Sequence, residues 1–185
     1  MAEYEDIGPQ RDAGARLLIA GVGNIFLGDD AFGVEVAKRL TTEDLPDWVR
    51  VEDFGIRGIH FAFHLLEHAY ETTILVDATA RGGEPGTVYL IEPDLESLDA
   101  EGGSVSAADA HGMTPEATLR LVRAYGGNPG RLLLVGCEPA HTGEEMGLSA
   151  PVTRAVEEAV TLIRDIVQRE VAAGGNVQHG SLKPR

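Results

Sequence analysis

Residues 16–33, RLLIAGVGNIFLGDDAFG, decide the fold of this chain. The first seven form a short apolar run that glycines interrupt and end, which is the pattern of a β-strand buried on both faces. A helix is predicted from Ala31 to about Leu40, with Val34, Ala37 and Leu40 on one side. A buried strand that leads directly into a helix favours an α/β fold with a parallel sheet.

The same alternation of strands and helices continues along the rest of the chain. Further strands are predicted at residues 49–53, 73–76, 86–91 and 131–135, and further helices at residues 59–69, 114–125 and 150–171. A loop of about twenty residues precedes the helix that Thr114 and Pro115 begin. Such alternation implies right-handed crossovers. The sequence therefore predicts a three-layer α/β/α sandwich with a mostly parallel, twisted sheet of about five strands.

The length of 185 residues corresponds to about one domain. Both ends are polar or rich in glycine, a composition that does not repay the entropy of ordering. We therefore expect flexible tails at residues 1–14 and 172–185 and a single domain at residues 15–171.

The charge balance excludes two classes of partner. Fifteen Lys and Arg against thirty Asp and Glu give a net charge of -15, which repels nucleic acids and anionic membrane surfaces. No apolar run approaches the ~18 residues of a membrane span, and the first residues are acidic where a signal peptide is basic. The single cysteine, Cys137, fits a reducing compartment. We therefore expect a cytoplasmic protein, and a monomer.

Polar residues that follow the predicted strands are the first candidates for a functional site, because ligands of α/β sheets bind outside the carboxyl ends of the strands. Asp29 and Asp30 follow the first strand, Asp77 ends the strand at residues 73–76, and His111 lies in the long loop. Two carboxylates and one imidazole form a donor set that suits nickel, zinc, manganese or iron.

Each of these residues also has a plainer interpretation, which the sequence alone leaves open. Asp29 or Asp30 would serve as an N-cap of the helix that starts there. Asp77 would favour a turn after its strand, and His111 would be an ordinary loop histidine.

Other kinds of site are disfavoured. Phe26 stands where the third glycine of a dinucleotide-binding G-x-G-x-x-G motif belongs, and neither a P-loop nor a G-x-S-x-G motif is present. Cys137 is interpreted as a structural thiol. Three histidines recur every four residues at His60, His64 and His68. We expect them on a solvated helix face, with an apolar face toward the core formed by Ile59, Ala62, Phe63, Leu66, Ala69 and Tyr70.

Six elements, taken together and in this order, resemble the hydrogenase maturation proteases. They are GVGNIFLGDDAFG at residues 21–33, EDFGIRG at 52–58, ILVDATARGGEPGTV at 74–88, DAHGMTP at 109–115, LLLVGCEP at 132–139 and GLS at 147–149, followed by a final helix. The resemblance runs from about Leu17 to Ile166 and so covers nearly the whole expected domain.

The resemblance implies an endopeptidase that removes a short C-terminal extension from the precursor of a nickel-iron hydrogenase large subunit, after nickel has been inserted. It also implies that Asp30, Asp77 and His111 are the catalytic and metal-binding residues, with Asp53 and Asp29 in secondary positions. The nickel would be carried by the precursor, and zinc or cadmium would take its place in crystals. The metal would then orient or polarise the scissile carbonyl or activate a water, or it would only mark the docking position while Asp30 acts as general base.

Two other functions are compatible with the same three residues. One is a metallohydrolase of another substrate with a resident ion. The other is a metal-sensing assembly chaperone that binds a maturing partner without cutting it.

Overall fold

The computed structural model describes residues 14–56, 58–93 and 115–174. The strands are β1 (Leu17–Val22), β2 (Val49–Gly55), β3 (Thr72–Ala78), β4 (Val88–Ile91) and β5 (Arg131–Cys137). The helices are α1 (Phe32–Leu40), α2 (Gly58–Glu67), α3 (Pro115–Ala124) and α4 (Ala150–Gly174), and a 3-10 turn at Gly28–Ala31 precedes α1. Of the tails predicted at residues 1–14 and 172–185, residues 1–13 and 175–185 lie outside the described residues, as does most of the predicted long loop.

The five strands form one sheet in the order β2-β1-β3-β5-β4. β1, β2, β3 and β5 are parallel, and β4 pairs with β5 in the antiparallel direction. For β4 to run parallel to β3, the chain between them would need a crossover of a dozen or more residues. This connection spans only residues 79–87, so the chain returns in the opposite direction. The predicted mostly parallel sheet is confirmed.

Helices cover both faces of the sheet, so the predicted three layers are also confirmed. Ile19 of β1 belongs to the core shared with α1 and α4, whereas its neighbour Leu18 belongs to the core shared with α2 and α3. Successive side chains of a strand point to opposite faces. This alternation explains why β1 is apolar throughout.

Close packing fixes α1 against the carboxyl ends of two strands. A Cβ atom on Gly33 would collide with the carbonyl oxygens of Val22 in β1 and Val76 in β3, and one on Gly21 would collide with the carbonyl oxygen of Gly33. α1 can therefore lie directly on the backbone at this point, which holds the preceding 3-10 turn at the carboxyl edge of the sheet.

The predicted helices and strands are present with small shifts at their ends. α4 ends at Gly174, three residues beyond its expected end at Val171 and inside the segment expected to be a tail. The exposed residues of α4 alternate with a buried stripe that includes Ile163 and Val167. Among the helices of the described residues, none has the length and apolar character needed to span a membrane.

The expected faces of α2 are wrong in part. His60 is exposed as expected, but His64 is half-buried with its Nε2 atom 2.7 Å from the Tyr70 hydroxyl, and His68 is half-buried beyond the helix end. Phe63, expected in the core, is 54% exposed. Phe61, Ala62 and Leu65 take the buried positions, so the helix is rotated by about one residue relative to the expected face.

Candidate functional site at the carboxyl edge of the sheet

Three neighbouring strands bring acidic residues to one edge of the sheet. Gly21 of β1 pairs with Asp53 of β2 on one side and with Val76 of β3 on the other, and Asp77 follows Val76. Adjacent strands lie about 4.8 Å apart, so the backbones at Asp53 and Val76 are separated by about 10 Å. The end of β1 lies between them, and the chain leaves it toward Asp30.

Asp30 is half-buried in the 3-10 turn, and its side chain points back toward the end of β1. Its Oδ2 atom accepts a hydrogen bond of 2.7 Å from the backbone N of Asn24. A Cβ atom on Gly23 would collide with the carbonyl oxygen of Asp30, so only glycine allows this close approach. Helix α1 has no side-chain cap, and the N-cap interpretation of Asp30 is therefore wrong.

Asp77 is the penultimate residue of β3 and is half-buried. It pairs with Gly136 of β5, so it lies within the strand and not in a turn after it. By the alternation of β3 it shares a face with Leu75, which packs in the core of α2 and α3. The 3-10 turn that holds Asp30 contacts β3. Asp77 is thus held within β3, and Asp30 is held in a turn that packs against β3.

The interpretation of Asp29 as a helix cap is wrong, and its predicted secondary place in the site stays a prediction. Its carboxylate is fully buried and makes no cap hydrogen bond. Instead, Oδ1 accepts a hydrogen bond from the backbone N of Ser149, and Oδ2 accepts from the Ser149 hydroxyl and from the backbone N atoms of Ala140 and His141. Burial raises the pKa of Asp29, but these hydrogen bonds outweigh burial and hold the pKa below its usual value.

Asp53 lies at the outer side of the edge. It is exposed in β2, and its Oδ1 atom accepts a hydrogen bond of 2.9 Å from the backbone N of Gly55. Together with His60, Phe63 and Glu67 it lines an open groove of about 450 Å³ beside α2. Asp53 therefore lies beside α2, whereas the turn that holds Asp30 lies against β3.

Glu138 is a buried acidic residue at the same edge that our sequence reasoning missed. It directly follows β5 and is 5% exposed. Its carboxylate accepts hydrogen bonds from the backbone N atoms of Arg81 and Gly82 and from the Tyr89 hydroxyl. The hydrogen bond from Arg81 is the largest of the effects that lower the pKa of Glu138 against the opposing effect of burial. Glu138 thus fixes the loop that begins just after Asp77, and its position after a strand end was the available signal.

Cys137 is fully buried at the end of β5. Burial, with a smaller effect from the Asp29 carboxylate, raises the pKa of the thiol to about 12. A thiolate is needed for nucleophilic attack. The structural interpretation of Cys137 therefore agrees with its surroundings.

His111 lies outside the described residues, so the predicted third donor stays a prediction. Within residues 14–56, 58–93 and 115–174, no three His, Cys, Asp or Glu side chains form a group able to hold a metal ion. The structure thus brings two carboxylates, Asp30 and Asp77, to the same edge of the sheet.

Comparison with known proteins identifies the family. The model of the hydrogenase maturation protease family matches residues 34–166. This chain belongs to the hydrogenase maturation protease family. It is a peptidase, like the named endopeptidases of the family, and the resemblance in its motifs is confirmed.

Relatives of this maturation protease include both sequences and solved structures. The hydrogenase expression/formation protein HupD of Rhizobium leguminosarum is 32% identical over 80% of this chain and 74% of its own length. The hydrogenase 2 maturation peptidase of a Thaumarchaeota archaeon is 33% identical over 83% of this chain and 98% of its own, with a TM-score of 0.64. The hydrogenase maturating endopeptidase HybD of Escherichia coli is 27% identical over 84% of this chain and 93% of its own, with a TM-score of 0.69.

Proposed function

We propose that this maturation protease removes the C-terminal extension of a nickel-iron hydrogenase large-subunit precursor after nickel insertion, and that Asp30, Asp77 and His111 recognise the nickel carried by the precursor. The observation that carries the proposal is that the 3-10 turn holding Asp30 contacts β3, the strand that carries Asp77, at the carboxyl edge of the sheet. The family supplies the reaction class, and this edge of the sheet supplies oxygen donors for it.

The donor chemistry of the two aspartates supports recognition of a borderline divalent ion. Both side chains are carboxylates, which offer oxygen donors to such an ion. Oxygen and imidazole donors together suit nickel or zinc better than a purely oxygen set does. In this proposal the ion belongs to the substrate, and the protease tests whether metal insertion is complete before it cuts.

The contribution of His111 rests on the resemblance of DAHGMTP, residues 109–115, to the family's motif. Imidazole is a common nitrogen ligand of nickel and zinc. His111 would thus add the nitrogen donor to the oxygen donors of Asp30 and Asp77.

Different residues of the chain have different roles in this proposal. Asp30 and Asp77 bind and orient the metal-bearing end of the precursor, and a carboxylate that is not engaged with the ion accepts a proton from the attacking water. The substrate's nickel, once bound, supplies Lewis-acid polarisation of the scissile carbonyl or of that water. In this proposal Asp29 and Glu138 contact neither the precursor nor its nickel, and they act by holding the surrounding loops.

The test is incubation of the protease with nickel-loaded and nickel-free precursor, followed by measurement of the intact mass. Shortening of the loaded form alone supports the proposal. Equal shortening of both forms would contradict nickel recognition, and no shortening of either would favour a chaperone that binds without cutting. A tight stoichiometric ion in the purified protease would favour a resident-metal hydrolase.

Variants assign the individual residues. Asp30→Asn, Asp77→Asn and His111→Ala are expected to abolish processing while the fold is retained, because each removes one donor to the ion. His60→Ala is the matched control, since His60 is exposed on α2 and lies outside the proposed donor set. Wild-type processing by any of the three donor variants would remove that residue from the site.

A further inference from the structure

An apolar groove of about 410 Å³ lies beside the Asp30 turn, and the proposed reaction does not use it. The groove is lined by Phe26, Leu27, Glu144, Glu145 and Met146. Phe26 is 60% exposed and Met146 is 70% exposed. Two large apolar side chains exposed side by side leave an apolar surface that another molecule would cover favourably. We call this surface the Phe26 groove.

The backbone under the Phe26 groove is held in place by hydrogen bonds. Leu27 and Glu145 form an isolated parallel bridge, in which Gly28 N donates to the Glu145 carbonyl at 2.6 Å and Glu145 N donates to the Phe26 carbonyl at 3.1 Å. The buried Asp29 carboxylate holds the same loop from beneath through Ala140 and Ser149. The apolar side chains are therefore presented on a fixed platform, which lowers the entropy lost when a partner binds.

The Phe26 groove is continuous with the candidate site. The side chain of Asn24 accepts a hydrogen bond of 3.0 Å from the backbone N of Phe26, and the backbone N of Asn24 donates to Asp30 Oδ2. One residue thus braces both the groove and the aspartate. A protein that docks at Asp30 therefore comes close to the Phe26 groove, since the two are joined through Asn24.

Charge decides what kind of occupant fits. The groove has an acidic rim formed by Glu144 and Glu145, and His141 Nε2 lies 3.0 Å from Glu145 Oε2. The whole chain carries a net charge of -15, which opposes the docking of a second copy. A segment with an apolar side chain next to a lysine or arginine complements both the apolar floor and the acidic rim.

We propose that the Phe26 groove is a docking surface for the hydrogenase precursor, and that it binds a precursor segment in which an apolar side chain adjoins a basic one. This inference rests on the proposed function, since it names a second contact of the same substrate. The groove holds the precursor but does not touch the reacting atoms. It therefore acts on the affinity for the precursor and leaves the chemical step unchanged.

The test compares processing of nickel-loaded precursor by the wild type and by the double variant Phe26→Ser, Met146→Gln. Both side chains are mostly exposed, so the variant is expected to fold, and thermal unfolding checks this. We expect KM to rise on the order of tenfold with kcat unchanged, as for loss of an anchoring contact. The matched control is Tyr125→Ser with Val171→Ser, two side chains that are 73% and 50% exposed elsewhere, and its KM is expected to stay at the wild-type value.

The acidic rim is tested separately by Glu144→Gln, with Asp165→Asn on α4 as the control for one lost exposed charge. We expect Glu144→Gln to raise KM about two- to threefold at low ionic strength and to lose this effect at high salt. If Asp165→Asn raises KM as much as Glu144→Gln does, the effect comes from the overall charge of the protein. That result would contradict binding of a basic residue at the rim of the groove.

Failure of this inference is distinguishable from failure of the proposed function. If the wild type shortens the precursor and the double variant does so with the same KM, the groove is not a docking surface. If the wild type does not shorten the precursor, the proposed function itself fails. If the wild type sediments as a dimer and the double variant as a monomer, the groove is a contact between two copies of the chain and our assignment is overturned.

Discussion

Ser149 donates two hydrogen bonds to Asp29, from its backbone N to Oδ1 at 2.6 Å and from its hydroxyl to Oδ2 at 2.9 Å. This contact joins the segment before α4 to the turn after β1. Glu138 makes a comparable contact with the loop after β3, through the backbone N atoms of Arg81 and Gly82. Two buried carboxylates therefore fix the loops around the edge where Asp30 and Asp77 lie, because each gathers backbone donors that would otherwise need water.

Replacing Asp29 with asparagine is expected to lower the free energy of unfolding by about 2–4 kcal/mol at pH 7. The amide places an NH₂ group against backbone N–H donors and also removes the charge that strengthens these hydrogen bonds. Urea denaturation measures the change. Asp165→Asn on the exposed face of α4 is the control and should differ from the wild type by less than about 0.5 kcal/mol.

The pH dependence of stability gives an independent test of Asp29. Its pKa is lowered in the folded state, so its contribution is present above the unfolded pKa near 4 and is lost as the pH falls through the lower folded value. The free energy of unfolding should therefore fall more steeply below about pH 4 in the wild type than in Asp29→Asn. Equal slopes for the two proteins would contradict a charged, hydrogen-bonded Asp29.

Glu138→Gln is expected to loosen the loop after β3 and to reduce processing without abolishing it. The glutamine amide cannot accept at both positions that Arg81 and Gly82 now occupy, so these backbone N–H groups lose protection. Hydrogen exchange at Arg81 and Gly82 should become faster than in the wild type, while exchange in the centre of β3 stays slow.

Tyr89→Phe is the matched control for Glu138, because it removes one hydrogen bond to that carboxylate and leaves the carboxylate itself. It should change exchange at Arg81 and Gly82 less than Glu138→Gln does. If Glu138→Gln leaves exchange in this loop at the wild-type rate, the carboxylate does not fix the loop.

The sequence predicts the fold well because its strongest signals are local. The apolar run of β1 and the helix that follows are visible in residues 16–40, and each has the period of the structure that it forms. The buried face of α2 was harder to predict, because apolar residues and histidines occur all around the helix. The structure buries Phe61 and Leu65 in place of the expected Phe63. The order of residues alone does not show which apolar side of the helix packs against the sheet.

The candidate site was predictable in position but not in the roles of its residues. The rule that ligands bind beyond the carboxyl ends of strands pointed to Asp29, Asp30 and Asp77 alike. Only three-dimensional contacts separate Asp29, whose partners lie more than 100 residues away, from Asp30, whose partner is Asn24. Glu138 obeys the same rule, and its partners across the edge are likewise distant in the chain.

Gly33→Ala is expected to destabilise the protein on the order of 3 kcal/mol and to reduce processing. The added methyl group would collide with the carbonyl oxygens of Val22 and Val76, so α1 and the turn that carries Asp30 must move away from β3. Thermal unfolding and the processing rate measure the two effects. Gly143→Ala is the control, because a Cβ atom there meets no atom within 4 Å, and wild-type behaviour of Gly33→Ala would contradict the close packing.

Cys137→Ala is expected to process the precursor at the wild-type rate, and iodoacetamide should not inactivate the native wild type. The reason is burial, which raises the pKa of the thiol to about 12 and leaves essentially no thiolate at neutral pH. The raised pKa also implies that this thiol's contribution to stability is present below the unfolded pKa near 8.5 and is lost as the pH rises above it, by up to about 1.4 kcal/mol per pH unit.

The alkaline decline should therefore be shallower in Cys137→Ala than in the wild type when urea denaturation is measured between pH 8 and pH 10. Inactivation of a folded Cys137→Ala would contradict the expected wild-type rate. Because Cys137 directly precedes Glu138, a loss of processing accompanied by faster exchange at Arg81 would trace the effect to the displaced carboxylate, and a loss without it would trace the effect to the sulfur.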